Sequence, residues 1–167
     1  MLGSQGAMLK RKPWEESVIV PGLLRWPAGL RRAYASEVVF SHVDVVPTLL
    51  GLCGVRSPVE MDGFNYAPYL RGARVKTPEY AHLAIYTRTE NNEFAPWRGL
   101  RTRRYKYARF QDKPWVLYDL EKDPYEMENL AASPAYANLA ARFDRVIEAH
   151  MRHTADRWIE MRDRPYG

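Results

Sequence analysis

Hydrophobic and polar positions alternate through residues 101–130, RTRRYKYARFQDKPWVLYDLEKDPYEMENL. Tyr105 and Tyr107 fall on one side of an extended chain, Lys106 and Ala108 on the other. That period of two belongs to a half-buried strand. Gln111-Asp112-Lys113-Pro114 interrupts it, since Pro cannot donate to a ladder and Asp favours turns. Residues 115–120 resume it with aromatic and β-branched side chains, so the unit reads as an antiparallel hairpin. Residues 121–125 turn the chain, and 127–130 close the unit. Upstream, 79–87 and 97–101 have strand-like apolar density, with a turn or loop over 89–94 between them. Four strands in a small antiparallel sheet follow, with His82 as a packed residue of the first.

The period changes after Ser133-Pro134, a helix start with Ser at the N-cap and Pro in the first turn. Tyr136, Leu139, Ala140, Phe143, Val146, Ile147, His150 and Met151 recur at steps of three and four. This predicts an amphipathic helix of about five turns, at ~3.6 residues per turn, whose stripe covers one face of the sheet. His150 and His153 are three apart and could share a face as metal ligands, but no carboxylate-histidine motif surrounds them, so a metal role is not expected. Asp156 is read as the cap of a last short turn, and residues 162–167 as a frayed end.

The first half of the chain is patterned differently. Residues 1–17 lack apolar periodicity and read as a basic surface loop. Residues 22–26 read as a strand buried on both faces, of the kind found in a mostly parallel sheet. Residues 37–40 read as a further short strand. Ser41, with Asp44 completing a capping box, or Asp44 itself, caps the helix that follows. That helix runs over 48–53 and stops at Gly54. His42 and Asp44 are metal-binding residue types, but capping accounts for them more simply. Cys53 is expected to be a buried small hydrophobe. Asp62-Gly63 is a turn before a short helical stretch ending near Leu70. The polar, proline-containing segment 73–78 separates two expected domains, 1–75 and 76–167.

Composition adds limits. Of 167 residues, 46% are hydrophobic and 27% charged, the balance of an ordinary globular protein. No apolar run is long enough to span a bilayer as a helix. The net charge of +5 favours anionic partners, but the basic residues match no nucleic-acid motif, so none is expected to bind. Arg101, Arg103, Arg104, Lys106 and Arg109 are expected to form a solvated basic face. Cys53 is the one cysteine; it cannot pair internally and leaves the compartment undecided.

Several stretches resemble the sulfatase family of the alkaline-phosphatase-like superfamily. They are RTRRYKY, LYDL and EKDPYEMENLA in the second half, and VPGLLRWPAG, HVDVVPTLLGLCGV and MDGFNYAPYLRG in the first. The N-terminal MLGSQGAMLKRKPWEES resembles the loop that follows the metal-binding segment in that family. Gln5 stands where members often have His, and Ile19 where Arg is usual. The resemblance implies that Lys10, four residues before the Trp14-Glu15 pair, contacts the sulfate group. An ammonium there is a compact charge able to stabilise the sulfuryl oxygens during S–O cleavage. Trp97 and Arg98 are expected pocket contacts, because edges and loops of the C-terminal sheet carry such contacts in this fold.

The resemblance also implies a fold: α/β, the C-terminal remnant of a mostly parallel sulfatase core, followed by the four-stranded antiparallel sheet packed on a long helix. It implies a formylglycine made from a Cys-x-Pro-x-Arg type motif and a divalent cation, Ca²⁺ or Mg²⁺, held by aspartates. Neither the motif nor the ligands are found in this sequence; Cys53 is followed by Gly54-Val55-Arg56. The expectation is therefore the C-terminal part of a sulfuric-ester hydrolase. It acts on a sulfate ester with an N-terminal part of the same enzyme and has no catalytic or metal residue of its own. The alternative is a stand-alone, non-catalytic module that binds an anionic ligand or a partner protein through its basic face.

Overall fold

A computed structural model of the chain describes residues 1–7, 10–30, 32–86 and 95–158. Two compact units emerge: Met1–Ile19 with His82–Gly167, and Val20–Ala81. The N-terminal segment thus groups with the C-terminal sheet, a division unlike the expected domains of 1–75 and 76–167.

The first unit is built on a four-stranded antiparallel sheet, order β1-β2-β3-β4, from β1 (Ala81–Ile85), β2 (Trp97–Arg101), β3 (Tyr105–Arg109) and β4 (Pro114–Asp119). The register places Leu100 opposite Tyr107 and Tyr107 opposite Leu117. All three are fully buried on one face. The expected turn over 89–94 lies outside the described residues. The irregularity between Ala108 and Arg109 lets Pro114 begin β4 opposite Arg109, an edge position where its missing N–H costs no ladder bond. Leu130 N–H donates to the Leu117 carbonyl at 2.8 Å, and Asn129 bonds both Leu117 N–H and the Trp115 carbonyl. Residues 129–130 thereby close the outer side of β4.

The C-terminal helix lies over one sheet face, as its stripe predicts. After a 3-10 turn at Pro134–Tyr136, it runs over Ala137–His153 and buries Ala140, Phe143, Ile147 and Met151. Phe143 meets the rings of Tyr105 and Tyr107 at 6.2 and 5.8 Å, and Tyr107 donates its hydroxyl to Asp144 at 2.8 Å. Burying each large side chain contributes on the order of 1.5–3 kcal/mol. His150 stacks on His82, ring centroids 3.6 Å apart and nearly parallel. Asp156 pairs with Arg98; the last short turn that it is expected to cap, and the frayed end expected at 162–167, run into or lie in residues outside those described.

The second unit contains two short helices, Val45–Cys53 and Ala67–Leu70. The capping box forms: Ser41 N–H donates to Asp44 at 2.7 Å, and the other Asp44 oxygen accepts from Phe64 N–H at 2.7 Å. Gly63 is obligatory beside this clamp, since a Cβ there would lie 1.9 Å from the Val43 carbonyl oxygen. Gly54 ends the first helix with φ 70, the left-handed conformation that glycine adopts without strain. Tyr66, 1% exposed, packs among Phe40, Phe64 and Tyr69 and donates to the Val39 carbonyl. Burial pushes its phenol up to about 12, with Asp44 adding to the effect.

Three expectations for this half are corrected. Residues 22–26 form no strand and are not buried; Leu23 is fully exposed. Residues 37–40 form no strand either. A strand needs a neighbour for its N–H and C=O groups, and the described residues supply none beside either segment. Cys53 is exposed rather than buried, because the helix turns Thr48 and Leu52 inward instead.

Candidate functional site

Residues 1–7 and 10–19 clasp the sheet face opposite the helix. There Trp97, Ala108, Val116 and Tyr118 form a buried cluster against which Trp14, Phe110 and Trp115 pack. Hydrogen bonds at Gln5, Arg11 and Trp14 help to hold the segment. Gln5 donates its amide to the Tyr125 and Glu126 carbonyls at 2.8 and 3.2 Å. The Trp97 indole N–H donates to the Arg11 carbonyl at 3.0 Å. The Trp14 indole N–H donates to the Tyr118 hydroxyl at 3.2 Å. Lys10 sits between the first two anchors, exposed, and makes no ion pair or hydrogen bond among the described residues. Arg11 has φ 82, a region a non-glycine residue seldom enters.

Next to the loop lies a buried charge network. Glu15 N–H donates to Glu126 at 2.7 Å. Lys106, whose side chain has no exposure, places its ammonium 2.5 Å from Glu126 and 2.7 Å from Glu15. Arg101 adds a second cation, 2.9 Å from Glu15. Burial raises the Glu15 carboxyl, but its bonds with Arg101 and Lys106 outweigh this and hold it below the usual range. Glu126 is held above it, because burial outweighs the bond from Lys106.

The expected solvated basic face is thus corrected. Arg101 and Lys106 face this network, Arg104 pairs with Asp119 at 2.7 Å, and Arg109 reaches Asp144 and Glu148. The carboxylates come from segments remote in sequence, so the spacing within the strand gave no sign of them.

The expected site residues separate. Successive residues of β2 point to opposite faces. Trp97, 2% exposed, reaches the Lys10 loop, and Arg98, 4% exposed, faces the helix side. The Arg98 guanidinium forms a bidentate pair with Asp156 at 2.5 and 2.7 Å and donates to the Ile85 carbonyl at 2.9 Å. It also stacks on Tyr86 and Trp158. Glu15, Lys106 and Glu126, which sequence reasoning did not bring together as a site, form a polar cluster beside the loop. The one available signal was the charge of Lys106 on a strand face shared with Ala108.

Among the described residues, no three His, Cys, Asp or Glu side chains are grouped to hold a metal ion. His82 and His150 stack face to face, an arrangement that does not converge on a cation. No helix among the described residues is long and apolar enough to cross a membrane. The sequence has no Cys-x-Pro-x-Arg motif for the formylglycine that the sulfatase resemblance implies, and the described residues offer no grouped ligands for its divalent cation.

A small antiparallel sheet, covered by a helix on one face and clasped by a basic loop on the other, places the chain among sulfatase C-terminal domains. It belongs to the family described as N-sulphoglucosamine sulphohydrolase, C-terminal, whose profile matches residues 3–153. It is 29% identical over 167 aligned positions to an ulvan-active sulfatase of Formosa agariphila, covering 82% of this chain and 34% of that protein. Identity to an N-acetylglucosamine-6-O-sulfatase of Bacteroides thetaiotaomicron is 27%, over 93% of this chain and 29% of that one. The structure of BT4656 in complex with its substrate D-glucosamine-2-N,6-O-disulfate matches with a TM-score of 0.75 at 25% identity, covering 93% of this chain and 33% of that one. The chain thus spans about a third of the length of these relatives.

Proposed function

We propose that this chain is the C-terminal portion of a sulfatase, a sulfuric-ester hydrolase, and supplies a wall of the substrate pocket. Lys10 contacts the sulfate group of the ester. Its ammonium stabilises the negative charge that builds on the sulfuryl oxygens as the S–O bond breaks. Trp97 and Arg98 shape the pocket from within the sheet. Trp97 supports the Lys10 loop, and Arg98 fixes residues 156–158 beside the end of β1. The formylglycine nucleophile and the divalent cation, Ca²⁺ or Mg²⁺, come from the rest of the enzyme.

The observation that carries this reading is the contrast between Lys10 and its neighbours. Lys10 is exposed on a loop pinned nearby to the sheet, whereas Arg101, Arg104, Lys106 and Arg109 are each matched by carboxylates. Those pairs leave little unbalanced charge with which the basic face could bind an anion. Exposed apolar side chains in the second unit, among them Leu23, Leu24, Val46 and Leu49, are covered by the remainder of the enzyme in this reading.

The gene tests the proposal. An in-frame sequence upstream of the Met1 codon encoding a Cys-x-Pro-x-Arg motif and an Asp-His-Gly segment is the expected result. A stop codon close upstream, with no such segment, overturns it in favour of a stand-alone binding module.

A further inference from the structure

We propose that Trp97 is a positioning residue for the sulfate-contacting loop: its indole N–H holds the Arg11 carbonyl and so fixes the direction in which Lys10 presents its ammonium. The role in turnover rests on the reading of Lys10 given above; the positioning itself does not. Arg11 adopts φ 82, and such a conformation persists only where the surroundings impose it. The 3.0 Å bond from Trp97 lands on the carbonyl of that same residue. Releasing the carbonyl frees the ψ rotation of Arg11 and lets the loop leave the positive-φ region.

The donor is itself immobile. The Trp97 ring is 2% exposed, packs edge-on against Trp115 with centroids 6.0 Å apart, and joins the Ala108–Val116–Tyr118 cluster. Downstream, Pro13 is fully buried and Trp14 is tied to Tyr118, so the loop is fixed on that side too. Lys10 has none of these attachments, and the orientation of its flexible stem depends on the backbone that carries it. Trp97 is buried beneath the loop, and its influence on the sulfate runs through Lys10.

Two variants remove the N–H: Trp97→Phe, and Trp97→benzothienylalanine, which keeps the bicyclic ring. On this chain the readout is trypsin cleavage after Lys10 and after Arg11; the bond before Pro13 resists the protease. Cleavage at these two bonds is expected to rise about fivefold, the factor a typical single neutral hydrogen bond supplies, with the urea midpoint nearly unchanged for the bicyclic variant. Unchanged cleavage in that variant, or a rise shared equally by sites throughout the chain, overturns the proposal.

On the enzyme that carries the chain, Trp97→Phe is expected to lower kcat on an aryl sulfate with little change in KM. The effect should disappear in a Lys10→Ala background, since residues acting through one another are not additive. An undiminished effect in that background overturns the proposal. Loss of nothing in Lys10→Ala alone refutes the assigned role of Lys10, while the protease readout still decides whether Trp97 holds the loop.

Discussion

The Lys106 ammonium, closed to solvent on β3, lies between the carboxylates of Glu126 at 2.5 Å and Glu15 at 2.7 Å. One partner comes from the turn after β4 and the other from the N-terminal segment, so a single lysine joins the sheet to the segment that carries Lys10. Arg101 balances the remaining charge on Glu15.

Lys106→Met should therefore be costly. It leaves two carboxylates facing each other without their ammonium, and breaking a buried pair from one side costs about 3–5 kcal/mol. Urea unfolding measures it; a loss under about 1 kcal/mol would contradict the network's role. Adding Glu126→Gln to the variant should recover part of the loss, because the uncompensated charge is then gone.

Stability should fall between pH 6.5 and about 4 through His82. Burial, with His150 adding to it, depresses this imidazole from 6.5 to about 4. The unfolded chain then takes up a proton in that window while the folded chain does not, so protonation favours unfolding. The contribution is present above pH 6.5 and is lost as pH falls towards 4. His82→Gln should flatten the wild-type slope of unfolding free energy across that window, and an unaltered slope would count against this assignment. Glu15 and Glu126, shifted in opposite directions, titrate alike in both proteins and drop out of the comparison.

Arg98→Lys should behave as a disruptive change. The guanidinium makes a two-point pair with Asp156, donates to Ile85 and stacks between Tyr86 and Trp158. A lysine reproduces neither the fork nor the stacking. With both partners nearly closed to solvent, a loss of about 2–4 kcal/mol in thermal or urea unfolding is expected. Asp156→Asn should lose a similar amount, and a neutral result for both would show that the pair does not secure the end of the helix.

The elements that could be read from sequence are those whose partners are close along the chain. The hairpin of β3 and β4 showed in the alternation around Tyr105 and Tyr107, and the last helix in the spacing from Ala140 to Met151. Gly54 and the Ser41–Asp44 box marked a local stop and start. What failed depended on distant groups. Residues 22–26 are apolar enough for a strand, but apolarity does not supply the neighbour a strand needs. Cys53 follows an apolar run, yet packing selected Thr48 and Leu52 for the inside. Lys10 and Trp97 were singled out separately, whereas their connection through the Arg11 carbonyl became visible only in three dimensions.

Phe143→Ala tests the packing of helix on sheet. The ring is 2% exposed and meets both Tyr105 and Tyr107, so its removal should cost about 3–5 kcal/mol, cavity included. A loss under about 1 kcal/mol would mean that the helix does not hold this face.

The most direct measurement is the turnover of an aryl sulfate by the enzyme containing this chain, with Lys10 replaced by alanine. Removing one charge-stabilising donor typically costs about 10²–10³ in kcat, and a loss of that order is expected while the urea midpoint stays unchanged. Activity within about twofold of the parent, far below the effect of such a donor, would contradict the claim that this loop meets the sulfate group.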